Sequence, residues 1–418
     1  MKVLGIVAEY NPFHNGHKYH LEKCRSISGA DCIVAVMSGN FTQRGEPAIV
    51  DKWARCEMAL LNGVDLVIEL PCIYAMSSAE YFAYGALKLL DSMGHVDMLC
   101  FGSECGSIDK LDTIADILCN EPDEYKVLLK KALSEGRSFP SARHDAMKCY
   151  LKMKSYNAAF SDVLKTPNNI LGIEYLKALK RLGSSIQPLT FGRIGNDYNS
   201  TEMTGDISSA TAIRRLIATN GQHAAIAQLK SALPDASLEI LEREFELGKG
   251  PVFPSDYSIL LLSMLRKMTA EKIAELPYME KGLENRIKLA ADTSGTYEEL
   301  LEKIGTKRYA ATRIQRCMLS LLTGLTNDVF KNFNDNFGPS YIRILGFNDI
   351  GRQLLSLIKK TALLPIVTKT ADFKNSNIPE VASMLSIEAS STDQYVLAFK
   401  NPSLRKSGAE YTHGIVRI

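Results

Sequence analysis

Over its first half the chain alternates short, largely apolar runs with helical stretches, and that order leaves few architectures open. The runs are Val3–Val7, Asp31–Met37, Asp65–Glu69 and Met98–Phe101, and helical patterns start from His14, Asp51, Ser78 and Ile108. Repeated βα units predict a parallel sheet with helices on both faces. The runs "CIVAVM" and "DLVIEL" carry consecutive apolar residues rather than an alternation, as expected of strands covered on both sides. A helical stretch from Glu121 to Leu182 and a late strand at Gln187–Phe191 follow. A helix start within Asp206–Arg215, capped by Ser208, Ser209 or Thr211, completes a doubly wound, Rossmann-like α/β domain over 1–220.

With 418 residues the chain exceeds the roughly 250–300 at which one core usually stops growing, so more than one domain is expected. Pro234, Gly248, Gly250, Pro251 and Pro254 mark 221–254 as a linker. The remainder, 255–418, reads as helical from Tyr257 to Leu325. After Gly338-Pro339 it reads as a small strand–helix–strand–helix α/β region. The net charge of +2 predicts no whole-chain attraction to polyanions, so a nucleic-acid surface must be local. Nine scattered cysteines without C-x-x-C or zinc spacing point to reduced thiols in the cytoplasm, and no run approaches the roughly 20 apolar residues of a membrane span.

Chemistry concentrates at the end of the first strand. There Val7-Ala8-Glu9-Tyr10-Asn11-Pro12-Phe13 leads into His14-Asn15-Gly16-His17 at a helix start. A strand that turns into a helix aims free N–H groups and the positive dipole end at the strand's carboxyl edge, a place suited to phosphates. Two imidazoles one turn apart add donors, and Gly16 keeps the space between them clear. Ser208, Ser209 and Thr211 with Arg214 make a second cradle of hydroxyl, backbone and guanidinium donors. Arg44, in the loop after the second strand, can reach a phosphate or carboxylate.

The H-x-G-H tetrad paired with Ser208-Ser209-Ala210-Thr211 and Arg214 resembles the nucleotidylyltransferase superfamily, with Ala210 interrupting the usual late signature. Longer segments are more specific: "VAEYNPFHNGHKYH", "SGNFTQRGEPAIVDKWAR", "DLVIELP", "FGSE", "TPNNILGIEYLKAL", "FGRIGNDYN", "KGLENRI", "KRYAATRIQR" and "YIRILGFN". Together they resemble the bacterial tRNA(Met) cytidine acetate ligase family over nearly the whole chain. The resemblance implies activation of acetate with ATP, with magnesium expected on the phosphates, and acetylation of N4 of the wobble cytidine of elongator tRNA(Met). It implies ATP contacts from Val7–His17, Gly102, Asn168 or Asn169, Arg193 and Ile194. His14, His17 and Arg214 are then the expected catalytic residues.

The C-terminal half carries a local basic bias, with ten Lys/Arg against four Asp/Glu between Leu301 and Lys360. Lys307, Arg308, Arg313 and Arg316 fall on a helical pattern in which Arg308, Thr312 and Arg316 share a face, and a tRNA-modifying enzyme needs such a phosphate-tracking surface. Two alternatives remain at this stage. One is a nucleotidylyltransferase that joins AMP to a small phosphorylated metabolite; the other is a non-catalytic, nucleotide-gated RNA-binding protein.

Overall fold

A computed structural model describes residues 1–137, 139–156, 160, 163–193, 208–306 and 309–418. Its centre is an eight-stranded sheet of β1 (Val3–Ala8), β2 (Cys32–Ser38), β3 (Leu66–Leu70), β4 (Met98–Ser103), β5 (Gln187–Gly192), β6 (Ile342–Phe347), β7 (Ile366–Val367) and β8 (Val416–Arg417). The first five strands run parallel in the order β5-β4-β1-β2-β3. Chain order reverses between β4 and β1, so the carboxyl ends of these two strands open onto the crevice where doubly wound sheets bind ligands.

The strands expected from the apolar runs are present, because residues such as Ile33–Met37 and Leu66–Ile68 are fully covered on both faces. Helix α1 (Asn15–Ser28) follows β1 with His14 as its N-cap. Helix α2 (Lys52–Leu61) follows β2, and the Asp51 carboxylate caps it by accepting from the Trp53 and Ala54 N–H groups at 3.0 and 2.9 Å. On one face of the sheet α1 and α2 pack with Ile213, Ile217, Leu229, Leu241 and Phe245. On the other, Phe82, Leu87, Ile173 and Leu176 join Leu261, Ile287, Ile314 and Tyr395 from the C-terminal half in one continuous core.

Two expectations change. The interval 221–254 holds the helices Gln222–Leu229 and Asp235–Glu246, packed on the sheet through Leu229, Leu241 and Phe245. Its punctuating residues serve helix ends: Pro234 is an N-cap, and Gly248, at φ 72°, follows a C-cap. The strand at Tyr341–Phe347 does not begin a separate sheet; as β6 it pairs antiparallel with β3, setting Glu69 opposite Arg343, while β7 and β8 pair with β6. Among the described residues no helix is long and apolar enough to cross a membrane.

Candidate active site

β1 ends at Ala8, and the chain turns through Tyr10, which adopts a left-handed φ of 49°, before α1 begins. The turn is held by packing. Tyr10 and Phe13 are buried 4.8 Å apart, and the His17 ring lies against both at 5.0 and 5.5 Å. His14 and His17 stack with centroids 3.8 Å apart and planes 24° apart. The His14 backbone N–H donates to His17 Nδ1 at 3.2 Å. That bond leaves the His17 proton on Nε2, so the ring presents a neutral donor on its other edge.

Burial, reinforced by Arg193 and Arg214, takes His14 down to about 3, and burial together with His14 and His20 takes His17 well below the usual imidazole value. His20, one turn further along α1, is brought down to about 4 by burial and Arg193. Both motif histidines are therefore neutral near pH 7. In the free protein the positive charge of the site comes from arginines.

These groups share a cavity of about 220 Å³ at the carboxyl end of β1, reaching Phe191 of β5. Val7, Ala8, Glu9, Tyr10 and Asn11 form one wall, and His14, Gly16, His17 and His20 form the next. Ser208, Ser209, Thr211 and Arg214 close the polar end, where Ser209 Oγ caps the helix Ala210–Asn220 by accepting from Ala212 N–H at 3.1 Å. Arg214 donates to the Asn11 carbonyl at 3.0 Å and pairs with Glu46 at 3.0 Å. The loop after β2 contributes Thr42, Gln43 and Arg44, and Arg193 follows β5. An apolar wall of Phe82, Leu171, Tyr175 and Phe191 lies opposite.

Not every expected residue lines this cavity. Phe13 belongs to the core; Asn15 is turned away, its side chain donating to the Ser231 carbonyl at 2.7 Å. Pro12, Gly102, Asn168 and Asn169 also lie off the cavity wall. Gly102 is close by: a Cβ there would stand 3.0 Å from Arg193 Cγ and 3.8 Å from the His20 ring. Asn168 donates to Glu104 at 2.7 Å, accepts from Arg193 at 3.4 Å, and Asn169 accepts from the Cys105 N–H at 3.1 Å. Burial would raise the Glu104 carboxyl, but hydrogen bonds from Asn168 and the 168 and 169 N–H groups outweigh it and hold the group low. Ile194 lies outside the described residues.

The basic run differs from expectation. Lys307 and Arg308 lie outside the described residues, and the helix begins only at Ala311, after an N-cap at Ala310. Arg313 donates twice to the Tyr278 carbonyl, at 2.9 and 2.6 Å, and pairs with Glu280. Arg316 points inward, donating to the Gln43 carbonyl at 3.2 Å. Residues that sequence reasoning passed over include Arg55, fully buried, which donates to the carbonyls of Glu9 (2.6 Å), Ser38 (3.1 Å), Gly39 and Val50 (3.2 Å). It ties the ends of β1 and β2 together from below. His20 was visible three residues after His17; Phe82, Tyr175 and Glu46 carried no local signal.

The HIGH Nucleotidyl Transferase family matches residues 1–410. A tRNA(Met) cytidine acetate ligase of Acetivibrio thermocellus is 52% identical over 100% of both chains, and one of Halothermothrix orenii is 45% identical over the same share. The chain belongs to the tRNA(Met) cytidine acetate ligase family. Crystal structures of TmcAL from Thermotoga maritima, 38% identical, superpose over 100% of both chains. The TM-score is 0.95 for an apo form and 0.93 for a form bound with alpha-thio ATP. In this ligase family member the two signature motifs, 190 or so residues apart in sequence, meet across one crevice, as His14 and Arg214 do.

Proposed function

We propose that this chain activates acetate with ATP and transfers the acetyl group to N4 of the wobble cytidine of elongator tRNA(Met). An acetate oxygen attacks the α-phosphorus in line, the bond to the α,β-bridging oxygen breaks, and pyrophosphate leaves behind acetyl-adenylate. Cytidine N4 then attacks the acetyl carbon, the carbon–oxygen bond to phosphate breaks, AMP departs with the electron pair, and the amine sheds a proton. Neither step calls for a protein nucleophile, so catalysis rests on positioning and charge stabilisation.

The observation that carries this reading is the neutral, stacked His14–His17 pair facing Arg214 and Arg193 in one cavity. Neutral imidazole N–H groups donate to phosphoryl oxygens without repelling the arginines beside them. His14 and His17 serve the α-phosphate, while Ser208, Ser209, Thr211 and Arg214 serve the departing pyrophosphate. Gly102 and Asn168 or Asn169 serve the adenosine end, Arg193 faces a phosphate, and Ile194 beside it adds a further ATP contact.

Magnesium enters as part of the substrate, on the phosphates of ATP, with water completing its shell. Among the described residues there is no group of three or more His, Cys, Asp or Glu side chains that could hold a metal ion. In this proposal residues 1–220 hold the ATP chemistry and 255–418 the RNA-facing side. Lys307, Arg308 and Arg313 meet tRNA phosphates, whereas Arg316 is turned away from that surface.

The test is incubation with ATP, labelled acetate and total tRNA, followed by nucleoside analysis. Label in N4-acetylcytidine is the expected result. ATP and tRNA binding without transfer of label would sink the proposal.

A further inference from the structure

The loop 39–48 stands between the ATP cavity and the helix Ala311–Thr323. Its inner side lines the cavity with Thr42, Gln43 and Arg44, and its Glu46 pairs with Arg214. Its outer side rests on the helix. Gly45, at φ 83°, is pressed so closely there that a Cβ would come within 2.5 Å of the Arg316 nitrogen and 2.7 Å of the Gln315 carbonyl carbon.

Gln43 is joined to both sides. Its N–H donates to Glu9 Oε1 at 2.7 Å, at the end of β1, and its carbonyl accepts from Arg316 Nη1 at 3.2 Å. The Arg316 guanidinium also lies 5.3 Å from the centre of the Tyr278 ring, and its Nε is buried with no hydrogen-bond partner among the described residues. Covering a guanidinium and leaving one of its N–H groups unsatisfied is costly. A residue kept for solvent-borne phosphates would not be placed that way. Nor does packing on Tyr278 alone account for the cation, since its hydrogen bond goes to the Gln43 carbonyl.

We propose that Arg316 is a positioning residue for ATP activation: its grip on the Gln43 carbonyl fixes the loop that presents Thr42, Gln43 and Arg44 to the cavity. Gln43 then bridges the helix to Glu9, and Glu46 on the same loop is held where it meets Arg214. The assignment rests on the acetate activation proposed above and moves Arg316 from the tRNA surface to the ATP site. It acts through the loop and touches no substrate.

The test uses the full chain in acetate-dependent ATP–pyrophosphate exchange without tRNA, beside tRNA binding measured across a salt series. Arg316→Gln should raise KM for ATP about tenfold, with a smaller fall in kcat, since a loop displaced by a fraction of an ångström misplaces the groups it carries. Arg316→Lys, which keeps the charge and one donor, should recover most of that loss. Neither should change the salt slope of tRNA binding. Gly45→Ala, which pushes the loop off the helix from the opposite side, should raise KM for ATP in the same direction and decides the matter alone if Arg316→Gln does not fold. Wild-type protein without exchange would overturn the functional reading itself. Wild-type exchange, with ATP dependence unaltered in the folded variants, would overturn this inference; so would a tRNA salt slope reduced by about one unit in Arg316→Gln with ATP KM unchanged.

Discussion

Lys52 Nζ lies 2.5 Å from Glu410 Oε2, a contact between fully buried side chains that are 358 residues apart in sequence. Glu69 at the end of β3 (2.6 Å) and Glu388 (3.4 Å) complete the shell around the ammonium, and Arg343 of β6 reaches the other Glu410 oxygen at 3.4 Å. Burial alone would lower the Lys52 pKa, but the three carboxylates outweigh it and hold the group charged. Lys52 and Arg343 in turn hold the Glu410 carboxyl low against its own burial. The cluster therefore clamps the last ten residues and β6 onto the end of β3 and the start of α2.

Lys52→Met should leave these carboxylates uncompensated and destabilise the protein by roughly 3–5 kcal/mol, the usual cost of breaking a buried charge network from one side. Equilibrium denaturation measures it. A loss under about 1 kcal/mol would mean that water or protonation relieves the cluster, and that the clamp described above is weak.

His14→Ala and His17→Ala should each lower acetate-dependent pyrophosphate exchange by roughly 10²–10³-fold, the typical cost of losing one aligned donor to a developing oxyanion. Circular dichroism should show the fold retained, because the turn is held chiefly by Tyr10 and Phe13. Exchange near the wild-type rate in both variants would return the pair to a packing role.

The parts of this molecule that local pattern encodes were legible, and the parts set by distant pairing were not. Apolar runs located β1 to β5 within a residue or two, and the H-x-G-H tetrad placed His14 and His17 at the N-terminus of α1. No local pattern says that β6 will pair antiparallel with β3, that Arg55 will collect four carbonyls from three segments, or that Glu46 will meet Arg214. Punctuation misled over 221–254 because Pro and Gly end helices as readily as they make linkers. Arg316 misled for a related reason. Periodicity shows which residues share a helix face, yet here the loop 39–48 decides that this arginine is covered.

Arg214→Ala should weaken ATP much more than AMP, since Arg214 sits with Ser208 and Ser209 at the polar end of the cavity. Its ties to Asn11 and Glu46 already hold the guanidinium in place, so a phosphate gains a pre-oriented donor. Calorimetric titration of both nucleotides checks this. Equal losses for ATP and AMP would place Arg214 on the α-phosphate or on structure alone.

The depressed histidines carry a pH signature. An unfolded imidazole titrates near 6.5, whereas folded His14 is down at about 3 and His20 at about 4, so between those values the unfolded chain binds more protons and stability falls as pH falls. The contribution is fully present above about 6.5 and is lost on acidification through that window. His14→Asn should flatten the decline by up to about 1.4 kcal/mol per pH unit. Denaturant midpoints measured from pH 7 to 4 with identical slopes in variant and wild type would contradict the buried, neutral state of His14.

Division of labour between the two halves gives the last expectation. If Lys307 and Arg308 meet tRNA phosphates, each lost contact should reduce the steepness of log K against log salt by somewhat under one unit. Lys307→Ala with Arg308→Ala should therefore weaken tRNA binding at low salt and flatten its salt dependence, while acetate-dependent exchange without tRNA stays at the wild-type rate. Arg313 is a poorer place to look, because its guanidinium already serves the Tyr278 carbonyl and Glu280, and removing it would loosen the helix start as well as any phosphate contact. Filter binding at four or more salt concentrations resolves the slope. Unaltered affinity and slope in a well-folded double variant would leave this run a solvated segment and move the tRNA surface elsewhere. Lost exchange would instead mean that the helix start supports the loop 39–48, the element on which the Arg316 contact also bears.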